Sequence, residues 1–101
     1  MTIKAAFIFV APQADPTQHR TTVTTPEVEV TTVAVVNYQQ AEEVALALVQ
    51  QGVQAIELCA GFGAEGLARV KKRLGAQAVV GAVRFDCHPG LGFRSGDELF
   101  Q

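Results

Sequence analysis

The segment Val28-Glu29-Val30-Thr31-Thr32-Val33-Ala34-Val35-Val36 carries the strongest strand signal in the chain. It is β-branched almost throughout, and β-branched side chains are enriched in strands because they pack well on a pleated surface. The segment begins with alternating polar and apolar residues and ends in a continuous apolar run. We therefore expect one end of this strand to be half exposed and the other end to be buried.

Helix and strand signals surround this segment in a regular order. The pattern predicts a strand over residues 3–10, a helix from Asn37 to Gly52, a strand over 53–60, a helix over 64–74 and a strand over 78–85. The order is β-β-α-β-α-β, and strands linked through a helix run parallel with right-handed crossovers. These signals predict an α/β fold with a mainly parallel four-stranded sheet and two helices. The position and direction of the first strand stay open.

The 101 residues are expected to form one domain, residues 1–101, with two irregular segments. Residues 13–27 form a long, polar, threonine-rich loop, and loops of this length in compact domains are often functional or mobile. The threonines around Val23 could form a short extended piece. Residues 88–101 form a glycine-rich C-terminal tail.

The apolar content predicts a homo-oligomer. Hydrophobic residues make up 49% of the chain, which is high for a domain with so much surface to keep in contact with water. Two helices cannot cover both faces of a four-stranded sheet well. A second subunit would cover the remaining apolar surface.

Composition argues against several classes of partner. The net charge is −2 and there is no basic stripe, so we do not expect the protein to bind nucleic acid. The apolar run from Ala5 to Ala11 is far shorter than the roughly 20 residues of a transmembrane helix. The sequence shows no export signal, and its two cysteines, Cys59 and Cys87, lack metal-ligand spacing. We expect a cytoplasmic protein with free thiols and no membrane contact.

The candidate site lies where the parallel strands end, because open α/β sheets bind ligands outside the carboxyl ends of their strands. Gly61-Phe62-Gly63 joins a strand to a helix N-terminus, where free N–H groups and the helix dipole favour an anion. Arg84 and His19 are the other predicted ligand-binding residues, so a small anionic ligand is expected. In the alternative interpretation, the glycines serve turn geometry alone. No motif identifies a cofactor.

An enzymatic function is the alternative. In a lyase- or isomerase-like reaction Glu57 or His88 would act as acid or base, Asp86 would orient His88, and Arg84 would anchor a carboxylate or phosphate. In the simpler interpretation, Arg84 and Asp86 form a surface ion pair and Glu57 reaches water. His19, His88, Asp86 and Glu57 lack the spacing of a metal site, so no metal is predicted.

The chain resembles a family of short bacterial α/β proteins of uncharacterised function. The resemblance covers nearly the whole chain and rests on four groups of residues: Lys4-Ala5-Ala6-Phe7-Ile8-Phe9, Asp15-Pro16 with His19-Arg20, Ala55-Ile56-Glu57-Leu58-Cys59 with Gly61-Phe62-Gly63, and Arg84-Phe85-Asp86 with His88-Pro89-Gly90. The resemblance implies a single α/β domain. It assigns no catalytic residue.

Overall fold

Residues 2–101, which the computed structural model describes, form one mixed sheet with helices packed against it. The elements in chain order are β1 (Ile3–Val10), β2 (Arg20–Thr24), β3 (Val28–Val35), α1 (Tyr38–Gln50), β4 (Ala55–Leu58), α2 (Ala64–Leu74), β5 (Val79–Ala82), a 3₁₀ turn (Pro89–Leu91) and α3 (Gly96–Leu99). The predicted α/β class is confirmed. The predicted counts of four strands and two helices are wrong, because the described residues form five strands and three α-helices.

The sheet has the strand order β2-β3-β1-β4-β5. β3, β1, β4 and β5 run parallel, which confirms the predicted parallel core and places the first strand at the centre of the sheet. The additional strand, β2, arises within the predicted loop 13–27 and pairs antiparallel with β3. The hydroxyls of Thr22 and Thr31 lie 3.0 Å apart across this pair. The threonine-rich segment is therefore held by a hairpin to β3.

Both long helices lie on one face of the sheet, as the crossovers dictate. The connection through α1 leads from β3 past β1 to β4, and the connection through α2 leads onward in the same direction to β5. Two right-handed crossovers that step in one direction place their helices on the same face. Alternate strand residues that include Ile8, Val33 and Leu58 are fully buried beneath the helices.

The opposite face of the sheet, which we call the open face, is covered by no helix of the described residues. Alternation along the strands and the pairing register assign to it Ile3, Ala5, Phe7, Phe9, Thr21, Val23, Val28, Val30, Thr32, Ala34, Ala55, Glu57, Val79 and Gly81. Ile3 is 49% exposed, Val23 62% and Val79 70%. Apart from Ala34, which is buried, the open face is thus largely apolar and in contact with solvent in the protomer.

The two long helices are fixed by a cap and an ion pair. The Asn37 side chain accepts a hydrogen bond of 2.9 Å from the Gln40 backbone N–H, as the sequence predicts for a helix cap. Arg69 of α2 pairs with Glu42 of α1 at 2.7 Å and thereby joins the two helices. In the part of the chain that the structure describes, no helix is long and apolar enough to cross a membrane.

The third helix lies within the segment predicted as a glycine-rich tail, residues 88–101. Ser95 caps α3 through its side chain and forms a capping box with Glu98. Phe100 is buried, and its carbonyl accepts a hydrogen bond of 3.0 Å from the N–H of Tyr38 at the start of α1. The end of this segment is therefore packed into the core beside the carboxyl ends of β1 and β4.

Candidate ligand-binding site

A cavity of about 650 Å³ opens at the carboxyl ends of β4 and β5. Its walls are the turn after β4, the first turn of α2, residues 82–87 that leave β5, and the start of α3. This is the edge of the sheet at which the sequence predicts a site. The cavity lies to one side of the sheet, and α3 completes it.

The cavity wall is mainly apolar, with a small charged group at one side. Phe62, Leu67 and Val83 are among the apolar lining residues. Arg84 and Asp86 also line it, and the Arg84 Nε donates a hydrogen bond of 3.1 Å to Asp86 Oδ1. Their side chains are 83% and 75% exposed, so this ion pair contributes little to stability and either partner is free to exchange.

The N-terminus of α2 holds a carboxylate that belongs to the chain itself. Asp97 Oδ2 accepts a hydrogen bond of 3.0 Å from the N–H of Glu65, and Oδ1 accepts one of 3.1 Å from the N–H of Gly66. These are the donors that an N-cap side chain ordinarily satisfies, and the N-cap residue here is Gly63, which has no side chain. Asp97 of α3 therefore caps α2 from 32 residues further along the chain.

Tyr38, at the start of α1, also takes part in the hydrogen-bond network around Asp97. Its hydroxyl donates a hydrogen bond of 2.9 Å to Asp97 Oδ1 and accepts one of 3.0 Å from the Gly63 N–H. Its ring stacks on Phe62 with 5.3 Å between centroids. Burial raises the pKa of the Tyr38 hydroxyl well above its ordinary value, and the hydrogen bond to Asp97 acts in the same direction. The hydroxyl is therefore neutral and is a fixed hydrogen-bond donor to Asp97.

Glycine is required at two points where α3 and α2 meet. A Cβ at Gly63 would lie 2.5 Å from the Asp97 carboxyl carbon, so a larger residue would displace the cap. A Cβ at Gly96 would lie 1.8 Å from the carbonyl oxygen of Gly61, which is backbone and cannot move aside. The close approach of α3 to the turn after β4 thus explains why glycines are needed on both sides of the contact.

The structure brings four of the predicted site residues together. Phe62, Gly63, Arg84 and Asp86 all line the cavity. Gly61 lies behind them, where its N–H donates to the Cys59 sulfur at 3.2 Å and its carbonyl contacts Gly96.

Three other predicted residues do not line the cavity. His19 sits at the same edge of the sheet, but the strand that it precedes, β2, is three strand spacings from β4, or roughly 14 Å. Its Nδ1 accepts a hydrogen bond of 2.9 Å from the Asp15 N–H. Glu57 is exposed on the open face. His88 accepts a hydrogen bond of 2.8 Å from the Gly90 N–H and packs against Phe85 at 4.5 Å.

This placement bears on the acid–base arrangement considered for an enzyme. Asp86 contacts Arg84 and does not orient His88, whose Nδ1 is engaged by its own turn. Glu57 lies on the open face of the sheet, whereas Arg84 follows β5 and lines the cavity. Within residues 2–101, no group of three or more His, Cys, Asp or Glu side chains is placed to hold a metal ion.

Two residues of the site, Tyr38 and Asp97, were not among those predicted from the sequence. Tyr38 is the only tyrosine of the chain, and it is fully buried. Asp97 lies within Ser95-Gly96-Asp97-Glu98, a capping-box pattern that marks a helix start and could have indicated that the tail is structured. The contact between them spans 59 residues, and no local pattern reports it.

Comparison with known proteins places the chain in a family without assigning an activity. No curated protein and no solved structure matches it significantly. A family model described as a family of unknown function, DUF6506, matches residues 3–98, which is essentially the whole chain. The resemblance noted from the sequence is confirmed in this respect, and the chain belongs to the DUF6506 family of unknown function.

Proposed function

We propose that the protein binds a small molecule with an apolar body and one anionic group in the cavity at the ends of β4 and β5. The observation that carries this proposal is the cavity itself, whose volume of about 650 Å³ lies in the range of small-molecule sites. Its apolar wall, with a few polar groups at one side, has the composition typical of such sites.

Arg84 is the anchor for the anionic group. The N-terminus of α2 is already occupied, because the N–H groups of Glu65 and Gly66 donate to Asp97. Among residues 2–101, by contrast, Arg84 is paired only with the exposed Asp86. A carboxylate or phosphate on the ligand can replace Asp86 and pair with the guanidinium through two hydrogen bonds, and Asp86 would then be solvated by water.

Phe62 and Leu67 provide the apolar contact for the body of the ligand. Phe62 is 4% exposed and is held in place by its stacking on Tyr38, so this wall is rigid before a ligand arrives. A pre-organised wall lowers the cost of ordering side chains on binding. His19 has no part in this site, because it lies roughly three strand spacings from β4.

The predicted cytoplasmic location also remains a proposal. Cys59 and Cys87 are both free thiols, and free thiols persist in a reducing compartment. We therefore expect the ligand to be a small anionic metabolite of that compartment.

Binding can be tested with a matched pair of probes, 2-naphthoate and its neutral amide, 2-naphthamide. Both should perturb the NMR signals of Phe62, Gly63 and Leu67. Naphthoate should bind about tenfold more tightly, because a charge-assisted hydrogen bond to Arg84 contributes roughly that factor. Arg84→Gln should abolish the preference for naphthoate and leave naphthamide binding unchanged.

Arg94→Gln provides the control. Arg94 is 55% exposed and pairs with Glu98 outside the cavity, so its substitution removes the same charge without touching the site. Equal affinities of the two probes for the wild-type protein would refute Arg84 as the anchor. Chemical-shift changes confined to the open face would show that the cavity is not the binding site.

A further inference from the structure

We infer that the open face is the interface of a homodimer whose two-fold axis runs along β1, because the residues on the two sides of this central strand are complementary to each other. This inference does not depend on the ligand proposed for the cavity. It specifies that the expected association uses the open face, that the partner is a second copy of the chain, and that a two-fold axis relates the copies.

The open face has the composition of a covered surface. The three large hydrophobic side chains Ile3, Val23 and Val79 are 49%, 62% and 70% exposed. Glu57 is the one ionisable side chain among the open-face positions of the five strands. Monomeric proteins rarely leave so continuous an apolar surface in water.

The extent of this face is sufficient for a dimer. The strand lengths, with a rise of about 3.3 Å per residue and a spacing of about 4.8 Å, give a flat footprint of roughly 450 Å². Two such faces remove roughly 900 Å² in projection, and a corrugated surface has more accessible area than its projection. The total therefore approaches or exceeds the roughly 1,000 Å² that a specific interface requires.

The pairing register aligns residues in rows across the sheet, and the first row shows the complementarity. Val23, Val30, Ala5, Ala55 and Val79 are successive partners from β2 to β5. A two-fold axis along β1 sets this row against the same row of the second copy in reversed order, so that β3 faces β4 and β2 faces β5. Val30 then faces Ala55 of the second copy, a large residue against a small one, and Val23 faces Val79.

The next row contains Glu57, the one ionisable residue of the open face, and provides a partner for its carboxylate. Thr21, Thr32, Phe7, Glu57 and Gly81 are successive partners in the same way. The same axis brings Glu57 of one copy opposite Thr32 of the other, where the threonine hydroxyl can donate a hydrogen bond to the carboxylate. A buried carboxylate needs such a donor.

A two-fold axis perpendicular to the strands is less favourable. It would set β4 against β4, bring the two Glu57 carboxylates towards each other, and oppose the bulky β3 residues to one another. Aligned sheets cross at about 30°, so the expected pairings hold best next to the axis, where Phe7, Thr32 and Glu57 lie. The arrangement along β1 is favoured because it pairs Val30 with the smaller Ala55 and Glu57 with the uncharged Thr32.

The surface can be tested by sedimentation equilibrium and native mass spectrometry at micromolar concentration. The wild-type protein should be a dimer. Val23→Asp with Val79→Asp should raise the dimer Kd at least about 100-fold, since it buries four short carboxylates without donors. Both positions are exposed in the protomer, so its circular dichroism should be unchanged.

Phe93→Asp is the control, because Phe93 is 68% exposed and lies outside the sheet; this variant should remain dimeric. A monomeric wild-type protein would overturn the inference and would leave the face to another partner. A dimer insensitive to the double aspartate variant would also overturn it, since the copies would then associate through another surface.

The axis can be tested by exchanging Thr32 and Glu57. Thr32→Glu alone should weaken the dimer, because it sets carboxylate against carboxylate. Adding Glu57→Thr should restore the wild-type Kd to within about threefold, because every Glu–Thr pair is then re-formed with its partners reversed. Failure of the second substitution to rescue the first would refute the axis along β1.

Discussion

Replacement of Asp97 by alanine should cost far more stability than an aspartate on a short C-terminal helix would suggest. Its carboxylate accepts hydrogen bonds from Tyr38, Glu65 and Gly66 and so joins α3 to the starts of both α1 and α2. Removal of the carboxylate leaves the first turn of α2 uncapped and takes from the Tyr38 hydroxyl its nearest acceptor.

The magnitude follows from these three bonds. Loss of a helix N-cap costs about 0.5–2 kcal/mol, and a hydrogen bond to a charged group contributes about 1.5–3 kcal/mol. Water replaces part of the lost hydrogen bonding at the exposed N–H of Glu65, so we expect a loss of about 3 kcal/mol in total. For a domain of this size each kcal/mol lowers Tm by about 4–8 °C, which gives a decrease of roughly 12–24 °C.

Urea unfolding followed by circular dichroism measures this loss, with variants compared at one protein concentration because association also stabilises. Asp97→Asn keeps one acceptor oxygen and loses the charge, so it should cost about half as much. Asp86→Ala is the control, because Asp86 is exposed and forms a surface ion pair with Arg84; it should change the free energy of unfolding by less than about 0.5 kcal/mol. An Asp97→Ala protein as stable as Asp86→Ala would refute the role of this carboxylate.

Two further predictions concern the same contact. Burial raises the pKa of Tyr38 above its ordinary 10.0, so the stabilisation that the neutral hydroxyl provides is complete below pH 10 and is lost as the pH rises above it. Tyrosinate absorbance should therefore increase together with unfolding. An increase in this absorbance while the protein keeps its native circular dichroism would contradict the prediction. Gly96→Ala should destabilise the protein by about 2–4 kcal/mol, because its Cβ would meet the Gly61 carbonyl oxygen. Gly81→Ala is the control and should cost less than about 1 kcal/mol, because nothing lies within 4 Å of a Cβ at that position. Equal urea midpoints for the two variants would show that α3 can shift without loss of stability.

The parallel core could be predicted because its strands consist mainly of apolar and β-branched residues, a composition typical of buried strands. The apolar run of β1 and the β-branched run of β3 report their own positions, and the helices follow from apolar periodicity and the Asn37 cap. β2 matches the short extended piece expected around Val23, but its place in the sheet could not be predicted in the same way. All five of its residues are exposed, so no hydrophobic pattern marks it, and it becomes a strand only through its hydrogen bonds to β3.

The position of the cavity could be predicted from the sequence, but only some of the residues around it could. The glycine turn and Arg84 indicated the edge of the sheet at which the cavity lies, because strand ends and helix starts can be read from local sequence. The use of the α2 N-terminus by Asp97 depends on where a distant segment packs. Glu57 was considered for catalysis because a carboxylate within a strand suggests burial, but the strand exposes one face and Glu57 lies on it.

The position of β1 has a consequence for how the polypeptide acquires its structure. β1 precedes both of its neighbours, β3 and β4, in the sequence, so neither neighbour has left the ribosome when the apolar segment of β1 emerges. Non-local parallel pairing is slow, and an unpaired apolar strand can associate with its like in other molecules meanwhile. Refolding yield should therefore fall steeply with protein concentration, even where the finished protein is stable.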